Sequence, residues 1–182
     1  MATTKKITTS ALMIALATVL MLVSKLIPAP WLQGGSVTLA SMVPIIIIGV
    51  ILGTKWGLSA AFAFSLIQMM SGFYPPPTQS FGSFVLVILL DYILAYGVLG
   101  LSGVFYKVYG KGRLACPLSG LTVTLLRYVC HILSGLLIWG VYAPEGQSVL
   151  AYSVIYNGTY MIPEIIITTL VLSLTINFIK TR

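Results

Sequence analysis

Asp91, Arg127, His131 and Glu164 are titratable residues inside long apolar runs of a chain that is 58% hydrophobic and 7% charged. At membrane depth an ionisable group costs about 3 kcal/mol or more unless it is paired or faces a polar cavity, so each marks a candidate functional position. An acid and an imidazole can hold a polar ligand or exchange a proton. A cation near an acid can form a buried pair.

Spacing decides which of these groups can meet. At 1.5 Å per residue, Asp91 lies about 12 Å below the outer end of a fourth helix and His131 about 15 Å below that of a fifth. Asn157 lies about 9 Å down a sixth, so three helices offer polar groups to one layer. Arg127 sits one turn deeper than His131 on the same helical face, and Glu164 about two turns deeper than Asn157. A structural ion pair between Arg127 and Glu164 is therefore the simplest way to avoid an isolated charge near the membrane middle.

Aromatic residues surround the same layer: Tyr92 beside Asp91, Tyr128 and Trp139 on the fifth helix, and Tyr152, Tyr156 and Tyr160 on the sixth. Aromatic faces with a carboxylate, an imidazole and an amide suit a flat, cationic, nitrogen-rich ligand, because a ring's quadrupole attracts cations. Tyr106, Tyr109 and Trp56 read instead as an interfacial belt. His131 is the only histidine, and no Cys stands at ligand spacing from it, so no metal site is expected. Cys116 and Cys130 would be about 21 Å apart on one helix and cannot bridge there. No G-x-S-x-G nucleophile motif supports a hydrolytic triad, and no Walker motif supplies a nucleotide-hydrolysing engine.

The elements that must position these residues follow from hydropathy. A mean hydropathy of +1.04 with three acidic residues in 182 excludes a soluble domain and identifies an all-α, polytopic membrane protein. Six transmembrane helices are predicted, near 8–27, 38–53, 57–72, 83–106, 115–141 and 151–179. The second and third are short enough to call for tilt or shielding by neighbours. Pro44 and Pro163 are expected to kink their helices. The first apolar run has spanning length and lacks a cleavage site, so it is expected to stay in the membrane. Residues 1–182 read as a single six-helix transmembrane substrate-binding domain without repeats.

The net charge of +7 is distributed as short basic clusters between spans, a topology signal rather than a nucleic-acid footprint. Lys5, Lys6, Lys55, Lys107, Lys111, Arg113, Lys180 and Arg182 fall on one side, with only Lys25 opposite, which makes both termini cytoplasmic. The outer segments Pro28 to Val37, Phe73 to Gly82 and Tyr142 to Leu150 carry little charge and suit a mouth for a small molecule. On helix one, Ala11 and Ala15 form a small-xxx-small pair of the kind that lets helices approach closely.

Five runs carry a resemblance: Gln33-Gly34-Gly35-Ser36 with Met42-Val43-Pro44; Leu89-Leu90-Asp91-Tyr92; Arg127-Tyr128 with His131 and Ser134-Gly135; Tyr142-Ala143-Pro144-Glu145-Gly146; and Tyr156-Asn157-Gly158-Thr159-Tyr160-Met161. Together, in this order over nearly the whole chain, they resemble the thiamine-specific substrate-binding (S) components of energy-coupling-factor (ECF) vitamin transporters. The resemblance implies a multi-pass protein of a prokaryotic cell membrane that captures thiamine from outside with high affinity. Its implied partners are a transmembrane coupling subunit and two cytoplasmic ATPases, which use the ATP, and it has no cofactor of its own.

The resemblance places thiamine against Asp91, Tyr92, His131, Trp139, Tyr152 and Asn157; Tyr156, Gln33 and Gly35 complete the expected substrate-binding set. It makes Pro28 to Val37 a lid, makes Ala11 and Ala15 the contact with the coupling subunit, and implies delivery by toppling of the loaded component. The chain departs from the pattern in a longer, proline-rich Phe73 to Ser83 segment and in Val87, where a Gln is expected. Rival expectations are an S component for a related pyrimidine precursor, an autonomous secondary carrier using Glu164 as proton site, and a membrane enzyme using His131 and Asp91 as acid and base. The enzyme is disfavoured by the lack of an activated nucleophile or metal cluster.

Overall fold

A computed structural model describes residues 2–26 and 35–176. Those residues form six helical segments and no strand: α1 Thr3–Ser24, α2 Met42–Leu52, α3 Thr54–Ser71, α4 Phe81–Val108, α5 Ala115–Leu137 and α6 Val149–Thr175. Four of them, α1, α4, α5 and α6, are long and apolar enough to cross a membrane.

Burial separates the helices into two kinds. Every residue of α2 from Met42 to Val50 is buried, so this 11-residue helix is the hub of the core. At 1.5 Å per residue α2 is only about 16 Å long, and its neighbours supply the shielding that its length requires. By contrast α1 turns Leu12, Leu16, Val19 and Leu22 outward and buries Ser10, Ala17, Met21 and Ser24. An apolar outer surface is what lipid solvates.

Close contact between α2, α3 and α4 depends on glycine. A Cβ at Gly57 would fall 2.6 Å from the Gly100 carbonyl oxygen, so the two backbones meet with no side chain between them. Gly53, at φ +93°, joins α2 to α3 in a conformation that L side chains rarely adopt. The Gly49, Gly53, Gly57 spacing of four carries this signal, and the sequence reading did not use it. Ser102 Oγ then donates to the Ile46 carbonyl at 2.9 Å, tying α4 to α2.

The structure bears on the expected elements at four places. The helix containing Pro44 starts at Met42 rather than residue 38, so Pro44 lies in the first turn, where its missing N–H needs no intrahelical partner and no kink is required. Pro163 lies inside α6, which continues through it. The fourth span changes winding along its length, with a π-helical stretch at Ile88–Leu94 and a 3₁₀ turn at Val98–Leu101. The fifth ends at Leu137, and Trp139–Tyr142 form a separate 3₁₀ turn, which takes Trp139 off the helix on which it was expected.

Candidate functional site

The π-helical stretch carries Asp91 and Tyr92. Five residues along an α-helix correspond to a rotation of about 140° off the starting face. The wider i→i+5 turn of a π-helix reduces that offset, and such turns recur at functional sites. Asp91 and Tyr96, five apart, accordingly line one cavity.

Asp91 is the hub of the site's polar contacts. Its Oδ1 lies 3.1 Å from His131 Nδ1, and its Oδ2 accepts from Ser134 Oγ at 2.7 Å and from Trp139 Nε1 at 3.2 Å. Ser134 is one turn beyond His131 on α5, and the helix break at Ile138 turns the Trp139 indole back onto the same carboxylate. The expected meeting of Asp91 and His131 is therefore direct. Ser134, quoted in a sequence run but given no role, joins them.

His131 is held from both sides. Arg127 Nε reaches its Nε2 at 3.4 Å, a long bond, so a neutral ring with Nδ1–H donated to Asp91 and Nε2 accepting from Arg127 satisfies both contacts. The guanidinium also donates to Tyr96 Oη at 2.9 Å and to Met42 Sδ at 2.7 Å, and it stacks 4.1 Å from the centre of the Tyr96 ring.

The expected Arg127–Glu164 ion pair is corrected by these contacts. Arg127 extends along its own helix toward His131 and across to Tyr96, while Glu164 accepts from the backbone N–H and hydroxyl of Thr38. Depth arithmetic put the two at one level; it carried no information about which way each side chain turns. Among the described residues no salt bridge joins Arg127 to Glu164.

A cavity of about 310 Å³ lies at the end of the bundle opposite the basic Lys107 to Arg113 segment. That volume is at the lower end of the ~300–1,000 Å³ range of small-molecule pockets. Its wall includes Asp91, Tyr92, His131, Trp139, Tyr152, Tyr156, Asn157 and Gly35, which are all the described members of the expected substrate-binding set. Gln33, and most of the expected lid from Pro28 to Val37, lie outside the described residues. Arg127, expected only as structural support, also faces the cavity, together with Val87, the position where a Gln was expected.

Sequence reasoning left out Lys25, Gln68, Tyr74, Tyr96 and Ser153 as wall residues. Tyr160, expected among the aromatics around the layer though not in the substrate-binding set, also lines the cavity, four residues from Tyr156 and three from Asn157 on one face of α6. Tyr74 could not be found from spacing, because its position depends on the segment after α3. There Tyr92 Oη donates to the Gly72 carbonyl and accepts from Tyr74 N–H, both at 3.0 Å, and its ring stacks on Phe73 at 5.6 Å. This clasp brings Tyr74 within 5.5 Å of Trp139, ring to ring.

Asn157 is tied into the protein by both ends of its amide. Its Nδ2 donates to the carbonyls of Ser153 at 2.9 Å and His131 at 3.2 Å, and its Oδ1 accepts from Tyr160 Oη. It joins α6 to α5 where Gly135 allows the two helices to close on Ser153. Tyr152 and Tyr156 follow along the wall, 5.7 Å apart.

Chemically, the arrangement offers one carboxylate in a nest of donors and several aromatic faces. No group of three or more His, Cys, Asp or Glu side chains among the described residues could hold a metal ion. Ala11 and Ala15 are far from the cavity on α1, and both are exposed.

Comparisons with known proteins agree with this architecture. A family model described as "Thiamine transporter protein (Thia_YuaJ)" matches residues 7–181. The thiamine transporter ThiT of Bacillus subtilis (strain 168) is 37% identical over 176 residues, spanning 90% of this chain and 86% of that protein. ThiT of Lacticaseibacillus paracasei is 30% identical over 92 residues, 46% of each chain. A solved structure of ThiT from Listeria monocytogenes superposes with a TM-score of 0.72 at 21% identity, covering 95% of this chain and 93% of that one, a likeness of fold.

Proposed function

This chain belongs to the thiamine transporter protein family and is a multi-pass protein of the prokaryotic cell membrane, and we propose that it captures thiamine in the cavity around Asp91 and serves as the S component of an ECF transporter. The observation that carries this reading is the Asp91 carboxylate, held by His131, Ser134 and Trp139 inside an aromatic-walled cavity. Thiamine has a cationic thiazolium ring and an aminopyrimidine. A fixed carboxylate offsets the cation, and ring faces attract it through their quadrupoles. The donors around Asp91 fix the orientation of its carboxylate before ligand arrives.

The chain supplies binding and no chemistry in this reading; it has no cofactor of its own, and its curated relatives are named as transporters. Energy comes from partners: a transmembrane coupling subunit and two cytoplasmic ATPases that use ATP. Their contact is assigned to the exposed Ala11 and Ala15 face of α1, where small side chains allow a second helix to come close. Toppling of the loaded component within the bilayer then opens the cavity inward. An autonomous carrier with Glu164 as its proton site is less well supported, because Glu164 is engaged by Thr38.

Thiamine titration of the purified protein tests the reading. Quenching of Trp139 fluorescence together with calorimetric binding is expected. Absence of both would overturn it, and preferential competition by a hydroxymethylpyrimidine would move the substrate to that precursor. Uptake into liposomes without ATPase partners would overturn the S-component assignment.

A further inference from the structure

Glu164 is buried to 1% exposure in α6, and the ligand cavity does not use it. Its Oε1 accepts from both the backbone N–H and the Oγ1 of Thr38, while its Oε2 has no hydrogen-bond partner among the described residues. A buried carboxylate with one oxygen doubly engaged and the other unpartnered is costly to maintain unless the engaged oxygen does something the fold needs.

What it holds is an irregular segment. Residues 35–41 precede α2 without regular secondary structure, and a backbone donor in such a segment must find a partner when it is shielded from water. Leu39 N–H finds Ser24 Oγ on α1 at 2.7 Å, and Ser41 Oγ meets Thr38 Oγ1 at 2.8 Å. Thr38 N–H finds only Glu164 among the described residues. Three residues earlier, Gly35 lies against the Tyr160 ring, where a Cβ would come within 2.6 Å of two ring carbons.

Tyr160 and Glu164 are four apart and share one face of α6. The segment is thus laid along α6 at two successive turns, Gly35 on Tyr160 and Thr38 on Glu164. Gly35 and Ser36 form part of the cavity wall. Tyr160 donates to Asn157 Oδ1, and its ring meets His131 edge to face at 5.8 Å. The contact at Glu164 therefore stands immediately behind a wall that continues to the Asp91 carboxylate.

We propose that Glu164 is a positioning residue for ligand retention: by anchoring Thr38 it holds Gly35 and Ser36 against α6 as a wall of the cavity, and so sets the rate at which bound ligand leaves. This rests on the cavity being the thiamine site. The anchor is an acceptor oxygen, so the carbonyl of a glutamine can replace it.

Stopped-flow dissociation of thiamine, with hydrogen exchange of the ligand-free protein, tests the proposal. In Glu164→Ala the off-rate is expected to rise on the order of 30-fold, the loss of two hydrogen bonds at a buried anchor, while the on-rate changes little. Protection of the Thr38 and Leu39 amides should fall in the same variant. Glu164→Gln should restore both most of the way, and Thr38→Val, which removes one of the two bonds, should give an intermediate off-rate. If Glu164→Ala does not fold, Thr38→Val decides the matter. Off-rates and protection equal to wild type would overturn the proposal, as would a Glu164→Gln variant as defective as Glu164→Ala. A wild-type protein that binds no thiamine but shows the amide-protection pattern would instead refute the substrate reading and leave the anchor standing.

Discussion

His131 joins two opposite charges without separating the helices that carry them: its Nδ1 is 3.1 Å from Asp91 Oδ1 on α4, and its Nε2 is 3.4 Å from Arg127 Nε on α5 itself. The imidazole is a rigid spacer between acid and guanidinium. Asp91 thereby keeps its charge toward the cavity rather than collapsing into a salt bridge with Arg127, in which the site's negative charge would be neutralised.

Asp91→Asn should test the role of that charge. The substituted amide keeps the size and one acceptor, yet it cannot offset a cation. Thiamine affinity measured by calorimetry is expected to fall on the order of 100-fold, as for loss of a charge-assisted contact in a desolvated site. Retained affinity would show that the carboxylate is not the cation's partner.

Trp139 combines two roles that substitution can separate. Trp139→Phe removes the Nε1 donor to Asp91 but keeps a ring near Tyr74 and Tyr142, and about a tenfold loss of affinity is expected. Trp139→Ala removes the ring as well and should cost on the order of 100-fold, with most of the ligand-induced quenching gone. Equal effects of the two variants would mean that the ring face contributes nothing.

The absence of contact between Arg127 and Glu164 can be measured with a double-mutant cycle. Arg127→Met and Glu164→Gln, singly and together, should show coupling below about 1 kcal/mol in thermal or denaturant unfolding. Arg127→Met alone should destabilise by about 2 kcal/mol, since it removes the stack on Tyr96 and the bond to its hydroxyl. A coupling above about 3 kcal/mol would restore the direct ion pair.

Under the proposed function, substitutions at Ala11 and Ala15 should separate capture from delivery. Because both are exposed on α1 and remote from the cavity, Ala11→Trp and Ala15→Trp should leave thiamine affinity within about twofold, the usual reach of a distant surface change. Uptake reconstituted with coupling subunit and ATPases should fall at least tenfold, as expected when a bulky ring prevents close helix approach. Full uptake would remove this face as the coupling contact.

Much of the site was legible before any coordinates because its logic is local. A charged or amide side chain in an apolar run announces itself, and a fixed rise per residue assigns it a depth; that is enough to place Asp91, His131 and Asn157 in one layer. The same reasoning failed for Trp139, expected on a continuous helix, because the break falls at Ile138, which is neither Gly nor Pro, and the nearby Gly140 was not taken as a stop. Val87, four residues before Asp91 and so on its helical face, was legible as a wall position from spacing alone.

Composition, hydropathy and spacing were sufficient for the class of molecule, its apolar spans and the level at which polar groups sit, since each depends on nearest neighbours along the chain and on the thickness of the bilayer. Tertiary structure decided the rest: the winding of α4 that turns Asp91 and Tyr96 to one cavity, the stacking of Arg127 on Tyr96, and the binding of Glu164 to Thr38, 126 positions away. Those outcomes depend on how each helix is rotated about its axis and on where irregular segments find partners for their backbone groups. Both are set by packing between residues distant in sequence, which no local pattern encodes.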